Sequence, residues 1–159
     1  MTFLLYFPLL PHVYWRGHIC DKIPPMLDVT FFPILIASVA NMIIGFVWYS
    51  PYVFGSVWMR LSGVTPEMVE SGRRRMPMVL FVAFLAGVVM AYVMNYFGRA
   101  WFVTDTIGAL ELAFWLWIGF VAPVMLGTVL WEQKSFMLYL INAAYWLFAM
   151  VVMALVLVL

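Results

Sequence analysis

Charge is scarce in this chain of 159 residues. Asp, Glu, Lys and Arg make up 9% of it, whereas soluble domains carry about 25%. The formal net charge is +1, and the only dense basic run is a triple arginine, so we expect no nucleic-acid partner. Hydrophobic residues reach 67% and the mean hydropathy is +1.07. This composition indicates a membrane protein.

Residues that commonly bind metals or act as nucleophiles are also few. A single cysteine, Cys20, excludes an intrachain disulfide and any zinc site built from several cysteines. The only histidines, His12 and His18, precede the first apolar stretch, so no span can offer an imidazole to a metal or haem. The carboxylates of the second half lie near predicted helix ends and should be solvated: Asp105, Glu111 and Glu132. We therefore expect no enzyme, metal or cofactor.

Four apolar stretches are each long enough to cross about 30 Å of hydrocarbon, which takes about 20 helical residues. They lie near 31–50, 76–97, 108–130 and 136–157. Alternation is absent and lipid cannot satisfy open backbone groups, so we expect helices. The predicted fold is all-α, a polytopic bundle of four transmembrane helices over residues 31–159. Residues 1–30 lack a basic start and are predicted to be a tail or an interfacial extension.

Basic residues near the span ends predict the orientation of the bundle. Five lie in the connections that follow the first and third spans: Arg60, Arg73, Arg74, Arg75 and Lys134. Three lie at the opposite ends: Arg16, Lys22 and Arg99. We therefore expect the connections after the first and third spans in the cytoplasm and both termini outside. Arg73, Arg74 and Arg75 are predicted to contact anionic lipid headgroups, with partner binding as the alternative.

The densest aromatic stretch, GFVWYSPYVFGSVWMRLSG at residues 45–63, follows the first span. Pro51 should end that helix, and the apolar spacing after it predicts a short interfacial helix. The aromatics are predicted to anchor this region at headgroup level: Trp48, Tyr49 and Trp58. A ligand site built from the same rings is the alternative. Thr65, followed by a proline and a glutamate, predicts the start of a further short helix that ends at Gly72.

Small and polar residues recur at four-residue intervals along the spans and are predicted to pack helix against helix. The small members are Gly45, Gly87, Gly119 and Gly127, and the polar members are Asn41, Asn95, Asn142 and Tyr145. We hypothesise that Asn41 and Asn142 bond each other, directly or through water. The alternative is that each bonds a neighbouring backbone carbonyl. Pro123 should kink the third span.

The aromatic stretch, GFVAP at 119–123 and INAAYWL at 141–147 together resemble the bacterial membrane proteins catalogued as domain of unknown function 1761. The likeness covers about residues 26–157. The resemblance implies a four-span integral membrane protein. We expect it in the bacterial inner membrane, and the distribution of basic residues predicts that both termini are periplasmic. It supplies no catalytic residues, because the family has no established activity.

Two function classes fit these observations. The first is a structural or accessory bundle that associates with itself or with other membrane subunits and contacts lipid. The alternative is a passive transporter or channel for a neutral or hydrophobic solute, formed by an oligomer. A coupled pump usually places an ionisable residue deep in the membrane, and here the deep polar groups are neutral. We therefore favour the structural class.

Overall fold

A computed structural model describes residues 31–159. It contains seven α-helices: α1 Phe31–Trp48, α2 Gly55–Ser62, α3 Pro66–Gly72, α4 Met76–Ala100, α5 Thr106–Leu116, α6 Ala122–Leu130 and α7 Phe136–Val158. A 3₁₀ turn, Arg73–Arg75, joins α3 to α4, and a π-helical turn, Trp117–Val121, joins α5 to α6. The predicted tail at residues 1–30, with Cys20, His12 and His18, lies outside the described residues.

Within residues 31–159, four helical segments are long and apolar enough to cross a membrane: Phe31–Trp48, Pro66–Ala100, Thr106–Leu130 and Phe136–Val158. Their bounds agree with the four predicted spans to within a few residues, except that helix α3 runs almost directly into α4. The described residues form no strand. The predicted all-α polytopic bundle is therefore confirmed.

Side-chain caps define where several of these helices begin. The Thr65 hydroxyl accepts the N–H of Met68 at 3.4 Å and caps α3, as the sequence predicts. Asp105 does the same for α5 through the N–H of Gly108, at 3.2 Å. At the start of α7, Ser135 accepts the N–H of Met137 at 3.2 Å. Each cap satisfies one of the N–H groups that a helix leaves unpaired in its first turn.

Helix α1 packs against both α4 and α7, and α5 packs against α7, so α7 links the two halves of the bundle. Contacts between α4 and α5 are fewer. The buried apolar core collects near the start of α1 and the end of α7, and its most enclosed members are Ile34, Ala37, Ala91, Met94, Ala109, Ala113, Met153 and Ala154. Many are alanines, which let helix backbones approach closely where no hydrophobic force drives association.

The third span contains a π-helical turn just before Pro123. The N–H of Ala122 donates to the carbonyl of Trp117, five residues back, and this closes a single π turn. Proline lacks an N–H and its ring crowds the preceding turn, so the helix resumes only with a changed register.

The aromatic stretch turns sharply between α1 and α2 around Gly55. The N–H of Gly55 donates to the carbonyl of Ser50 at 2.9 Å, and the N–H of Phe54 donates to the carbonyl of Trp48 at 3.1 Å. A Cβ atom on Gly55 would lie 2.2 Å from the Tyr49 carbonyl oxygen and 2.7 Å from that of Ser50. Only glycine fits this turn without moving backbone.

Gly55→Ala is expected to destabilise the protein by about 2 to 3 kcal/mol or more, because its methyl group must displace backbone rather than a flexible side chain. The matched control is Gly72→Ala, where a Cβ meets nothing within 4 Å. The unfolding free energy of each variant is measured in mixed micelles by titration with dodecyl sulfate. Equal stability of the two variants would contradict the described turn.

Candidate functional site

Four neutral polar side chains meet where the second half of α1 and the residue after it lie against the first half of α7. We call them the tyrosine–asparagine cluster: Asn41, Tyr49, Asn142 and Tyr145. Two hydrogen bonds connect α1 and α7 within this cluster. Each joins a tyrosine hydroxyl to an asparagine amide oxygen. The two tyrosine rings also contact each other, with their centroids 5.2 Å apart.

The deeper of the two bonds joins the middle of α1 to α7. The Tyr145 hydroxyl donates to Oδ1 of Asn41 at 2.9 Å, and both side chains are buried, at 8% and 5% exposure. An amide in hydrocarbon is costly unless it is hydrogen-bonded. This bond therefore explains how a polar residue is tolerated at the centre of the first span.

The second bond lies nearer the end of the span. The Tyr49 hydroxyl donates to Oδ1 of Asn142 at 2.9 Å. Beside it, the indole Nε1 of Trp48 donates to the carbonyl of Ile141 at 3.2 Å. Two adjacent residues at the end of α1 are thus bonded to two adjacent residues of α7, which fixes the register between the helices.

Two glycines leave space for the side chains of the cluster. A Cβ on Gly45 would lie 3.2 Å from the Tyr145 hydroxyl, and a Cβ on Gly87 would lie 3.3 Å from Nδ2 of Asn41. Both distances are shorter than an ordinary carbon contact. Gly45 lets the tyrosine reach across α1, and Gly87 lets α4 approach the amide.

The hypothesis that Asn41 and Asn142 bond each other directly is wrong within the described residues. The amide oxygen of each asparagine accepts a tyrosine hydroxyl instead, and no described hydrogen bond joins either asparagine side chain to a backbone carbonyl, as the alternative held. The physical reason is reach, since a tyrosine hydroxyl spans the gap between two helices and an asparagine amide is short. Tyr145 was expected to be a packing residue, whereas the bonding role of Tyr49 was missed.

Two predicted packing glycines do not contact a neighbouring helix among the described residues. A Cβ on Gly119 would meet nothing within 4 Å, and one on Gly127 would meet only Trp131, at 3.7 Å. The π turn changes the helix register between them, so a four-residue row read from the sequence does not remain on the inner face. Gly119 lies on the exposed side.

Asn95, which the sequence predicts as a polar packing residue, bonds within its own helix. It is buried, but its amide oxygen accepts Nε of Arg99 at 3.3 Å, one turn later on the same helix. Asn95 therefore orients an arginine at the end of α4 and does not bridge two helices.

The aromatic residues predicted as interfacial anchors make specific contacts within the chain. The Trp48 ring packs on Phe54 and Phe148, with centroids 4.8 and 6.2 Å away. Trp58 of α2 contacts the edge of Tyr49 at 5.5 Å. These contacts dock α2 onto the α1–α7 pair, so the rings hold the aromatic stretch in place; their depth in a membrane stays a prediction.

A further indole bond was missed by sequence reasoning. Nε1 of Trp117, in the π turn, donates to the carbonyl of Ala143 in α7 at 2.8 Å. Nothing in the sequence distinguishes this tryptophan from its neighbours. The two deep hydroxyls bond within their own helices, Ser38 to Ile34 at 2.7 Å and Thr128 to Met125 at 2.8 Å.

The triple arginine forms the exposed 3₁₀ turn between α3 and α4. Arg73 lies 3.8 Å from the Glu70 carboxylate, with both side chains largely exposed, so this pair contributes little to stability. Arg73, Arg74 and Arg75 lie within the long helical segment Pro66–Ala100, in the 3₁₀ turn directly ahead of α4. Their contact with lipid stays a prediction.

The arrangement holds helices together through neutral groups. Every member of the tyrosine–asparagine cluster is an amide or a phenol, and their bonds lie between α1 and α7. Within residues 31–159, no three His, Cys, Asp or Glu side chains gather in a way that could hold a metal ion.

Comparison with known proteins adds the family. The family model described as Protein of unknown function (DUF1761) matches residues 32–158, which is most of the chain. The chain belongs to this family. The matched region spans α1 to α7 and includes the whole tyrosine–asparagine cluster. No curated protein and no solved structure matches it. With its four apolar helices, this DUF1761 member is a multi-pass membrane protein.

A double-mutant cycle tests the described pairing against the one first hypothesised. We expect Asn41→Ala and Tyr145→Phe to be coupled by about 0.6 to 2 kcal/mol, because each removes one side of the same interhelical bond. Asn41→Ala and Asn142→Ala should be additive within about 0.5 kcal/mol. The unfolding free energies are measured in mixed micelles. A larger coupling between the two asparagines would contradict the structure.

A second prediction concerns the glycines. Gly45→Ala and Gly87→Ala should each be less stable than Gly127→Ala by about 1 to 3 kcal/mol, since their methyl groups crowd Tyr145 and Asn41. All three gain similar helix propensity, so Gly127→Ala is the matched control. Thermal unfolding in detergent ranks the variants, and an equal ranking would show that neither glycine is needed for close approach.

Proposed function

We propose that this protein is a small non-enzymatic integral membrane protein whose bundle acts as a structural or accessory subunit. The observation that supports this most is the use made of its deep polar groups. Both amide oxygens of the tyrosine–asparagine cluster accept bonds from within the chain, and the Ser38 and Thr128 hydroxyls bond their own helices. Polar groups committed in this way tie helices together and are not arranged to coordinate a passing solute.

The outer surface supports association with itself or with other subunits. Helix α4 is apolar along its length yet little of it is buried, with exposed residues that include Val79, Phe81, Val82 and Val89. The cluster bonds α1 to α7, and α1 in turn holds α4 through Gly87. The cluster therefore fixes the position of the surface that would meet lipid or another subunit.

The proposed location is the bacterial inner membrane, with both termini in the periplasm. Its support is the basic residues of the connections, which the structure places together at the end of the bundle where α4 and α7 begin. Arg60 lies in the last turn of α2, the triple arginine precedes α4, and Lys134 precedes α7. Cytoplasmic connections carry an excess of such residues.

The test compares assembly with solute flux in the same variant. Tyr49→Phe combined with Tyr145→Phe removes both hydroxyls of the cluster and keeps both rings. We expect the mass of the detergent-solubilised assembly, measured by light scattering, to fall toward that of the single chain. Glycerol permeability of proteoliposomes should equal that of protein-free liposomes before and after the change.

The control is Tyr92→Phe, which alters a side chain that is 43% exposed and should leave the assembly intact. Glycerol flux well above that of protein-free liposomes in the unaltered protein, reduced in the double variant, would instead establish the passive channel. An assembly whose mass is unaffected by the double variant would also overturn the structural role of the cluster.

A further inference from the structure

The π turn removes hydrogen bonds from the backbone at the centre of the third span. In an unbroken α-helix each carbonyl accepts the N–H of the residue four positions later. The N–H of Ala122 donates instead to Trp117, and Pro123 has no N–H to donate. The carbonyls of Ile118 and Gly119 therefore both lose the donors that a regular helix would give them.

These two carbonyls lie at the depth where an unbonded polar group is most costly. Ile118 is the central residue of the apolar segment Thr106–Leu130, so its backbone lies near the middle of the hydrocarbon. Lipid tails offer no donor, and irregular backbone at this depth is tolerated only where protein or a water-filled cavity covers it. Something other than lipid must therefore cover the face that carries Ile118 and Gly119.

The part of the chain that the structure describes does not cover this face itself. Ile118 and Gly119 are both exposed, and a Cβ atom on Gly119 would meet nothing within 4 Å. One turn later, Pro123 is exposed as well. The opposite side of the turn is held by the indole of Trp117, which donates to the carbonyl of Ala143 at 2.8 Å. The π turn thus has a fixed inner side and an uncovered outer side.

The same outer face also presents a hydrogen-bond donor. Trp115 lies one turn before Gly119 and is 61% exposed. Trp48 and Trp117 donate to backbone carbonyls, whereas the indole N–H of Trp115 makes no hydrogen bond within residues 31–159. A tryptophan in a membrane protein usually lies at headgroup level, where water serves its N–H. Trp115 lies only three residues from the centre of the span, so its N–H needs an acceptor supplied by protein.

One outward face therefore carries two acceptors and a donor within one turn of each other. Such a surface is self-complementary, and two identical chains related by a two-fold axis place the same patch of each against the other. We propose that a second copy of this protein covers the π turn. Trp115 of each copy donates to the freed carbonyls of the other, directly or through one bound water. This inference rests on the self-association proposed above and assigns it to the third span rather than to α4.

The tyrosine–asparagine cluster holds this contact in position from inside the bundle. Trp117 bonds Ala143, and Ala143 follows Asn142, which accepts the Tyr49 hydroxyl. The register that the cluster sets between α1 and α7 therefore also positions the π turn. Loss of the cluster would displace the face that meets the second copy.

The first test is cross-linking in proteoliposomes, on a chain in which Cys20→Ser removes the only native cysteine. Gly119→Cys adds a thiol where a side chain meets nothing within its own chain. Two cysteines form a disulfide only when their Cα atoms lie within about 7 Å. On oxidation with copper phenanthroline, Gly119→Cys should give at least fivefold more covalent dimer than Val89→Cys, scored on a non-reducing gel. Val89 is the matched control, because it is 63% exposed near the middle of α4.

The second test changes the hydrogen bonds of the turn. Pro123→Ala returns one N–H to the helix, and Trp115→Phe removes the donor while it keeps an aromatic ring. Each should raise the dissociation constant of the dimer in micelles at least fivefold, as measured by analytical ultracentrifugation. Trp131→Phe alters an exposed indole at the end of the same span and should leave the constant unchanged. Because alanine favours the helix, weaker pairing of Pro123→Ala would not reflect a poorly folded chain.

The possible failures are distinguishable. A single-chain mass for the unaltered protein would overturn both this inference and the proposed self-association. An assembled protein without a cross-link at Gly119→Cys would overturn this inference alone, and a cross-link at Val89→Cys would then place the contact on α4. Labelling of Gly119→Cys by a charged methanethiosulfonate, without cross-linking, would identify a water-filled passage instead. An unchanged dissociation constant in Pro123→Ala or in Trp115→Phe would show that these hydrogen bonds do not hold the pair.

Discussion

The bundle depends on one constraint, namely that a polar side chain inside hydrocarbon must find its hydrogen-bond partner within the protein. Asn41 lies in the middle of the first span, where water cannot serve. Its amide oxygen is paired with Tyr145 of the last helix, and this pairing requires α1 and α7 to lie side by side. Gly45 and Gly87 then become necessary, because the hydroxyl and the amide need space between backbones.

The same constraint explains the aromatic stretch after the first span. Trp48 and Tyr49 leave α1 with their polar atoms bonded to Ile141 and Asn142. The chain must then turn back at once, and Gly55 permits the backbone contact that the turn needs. Helix α2 brings Trp58 against Tyr49. A composition that looks like a membrane anchor is also a docking site for the last helix.

The sequence was sufficient to predict the elements of this fold. Twenty-residue apolar stretches, a proline after Ser50 and a capping threonine at position 65 are local signals, and each acts within a few residues of itself. The tight packing at Gly45 and Gly87 was also predictable, because small residues that recur at four-residue intervals along a span indicate close approach of helices.

The sequence could not predict which groups the buried polar side chains bond. Which hydroxyl meets Asn41 depends on the rotation of α7 about its axis, and no local pattern encodes that angle. The π turn before Pro123 had a second effect of the same kind, since it turned Gly119 outward and broke a row that continues without interruption in the sequence. Trp117 lies in that same turn and bonds the carbonyl of Ala143.

The hydrogen bond between the first and the last described span has a consequence for biosynthesis. Asn41 and Tyr145 are 104 residues apart in the chain, and a ribosome needs about 5 to 20 s to add that many residues. During this time the first helix is already in the bilayer, and the amide of Asn41 does not yet have Tyr145 as its hydrogen-bond partner. Membrane insertion therefore precedes closure of the bundle, and the second and third spans must enter the membrane before the first can adopt its final position.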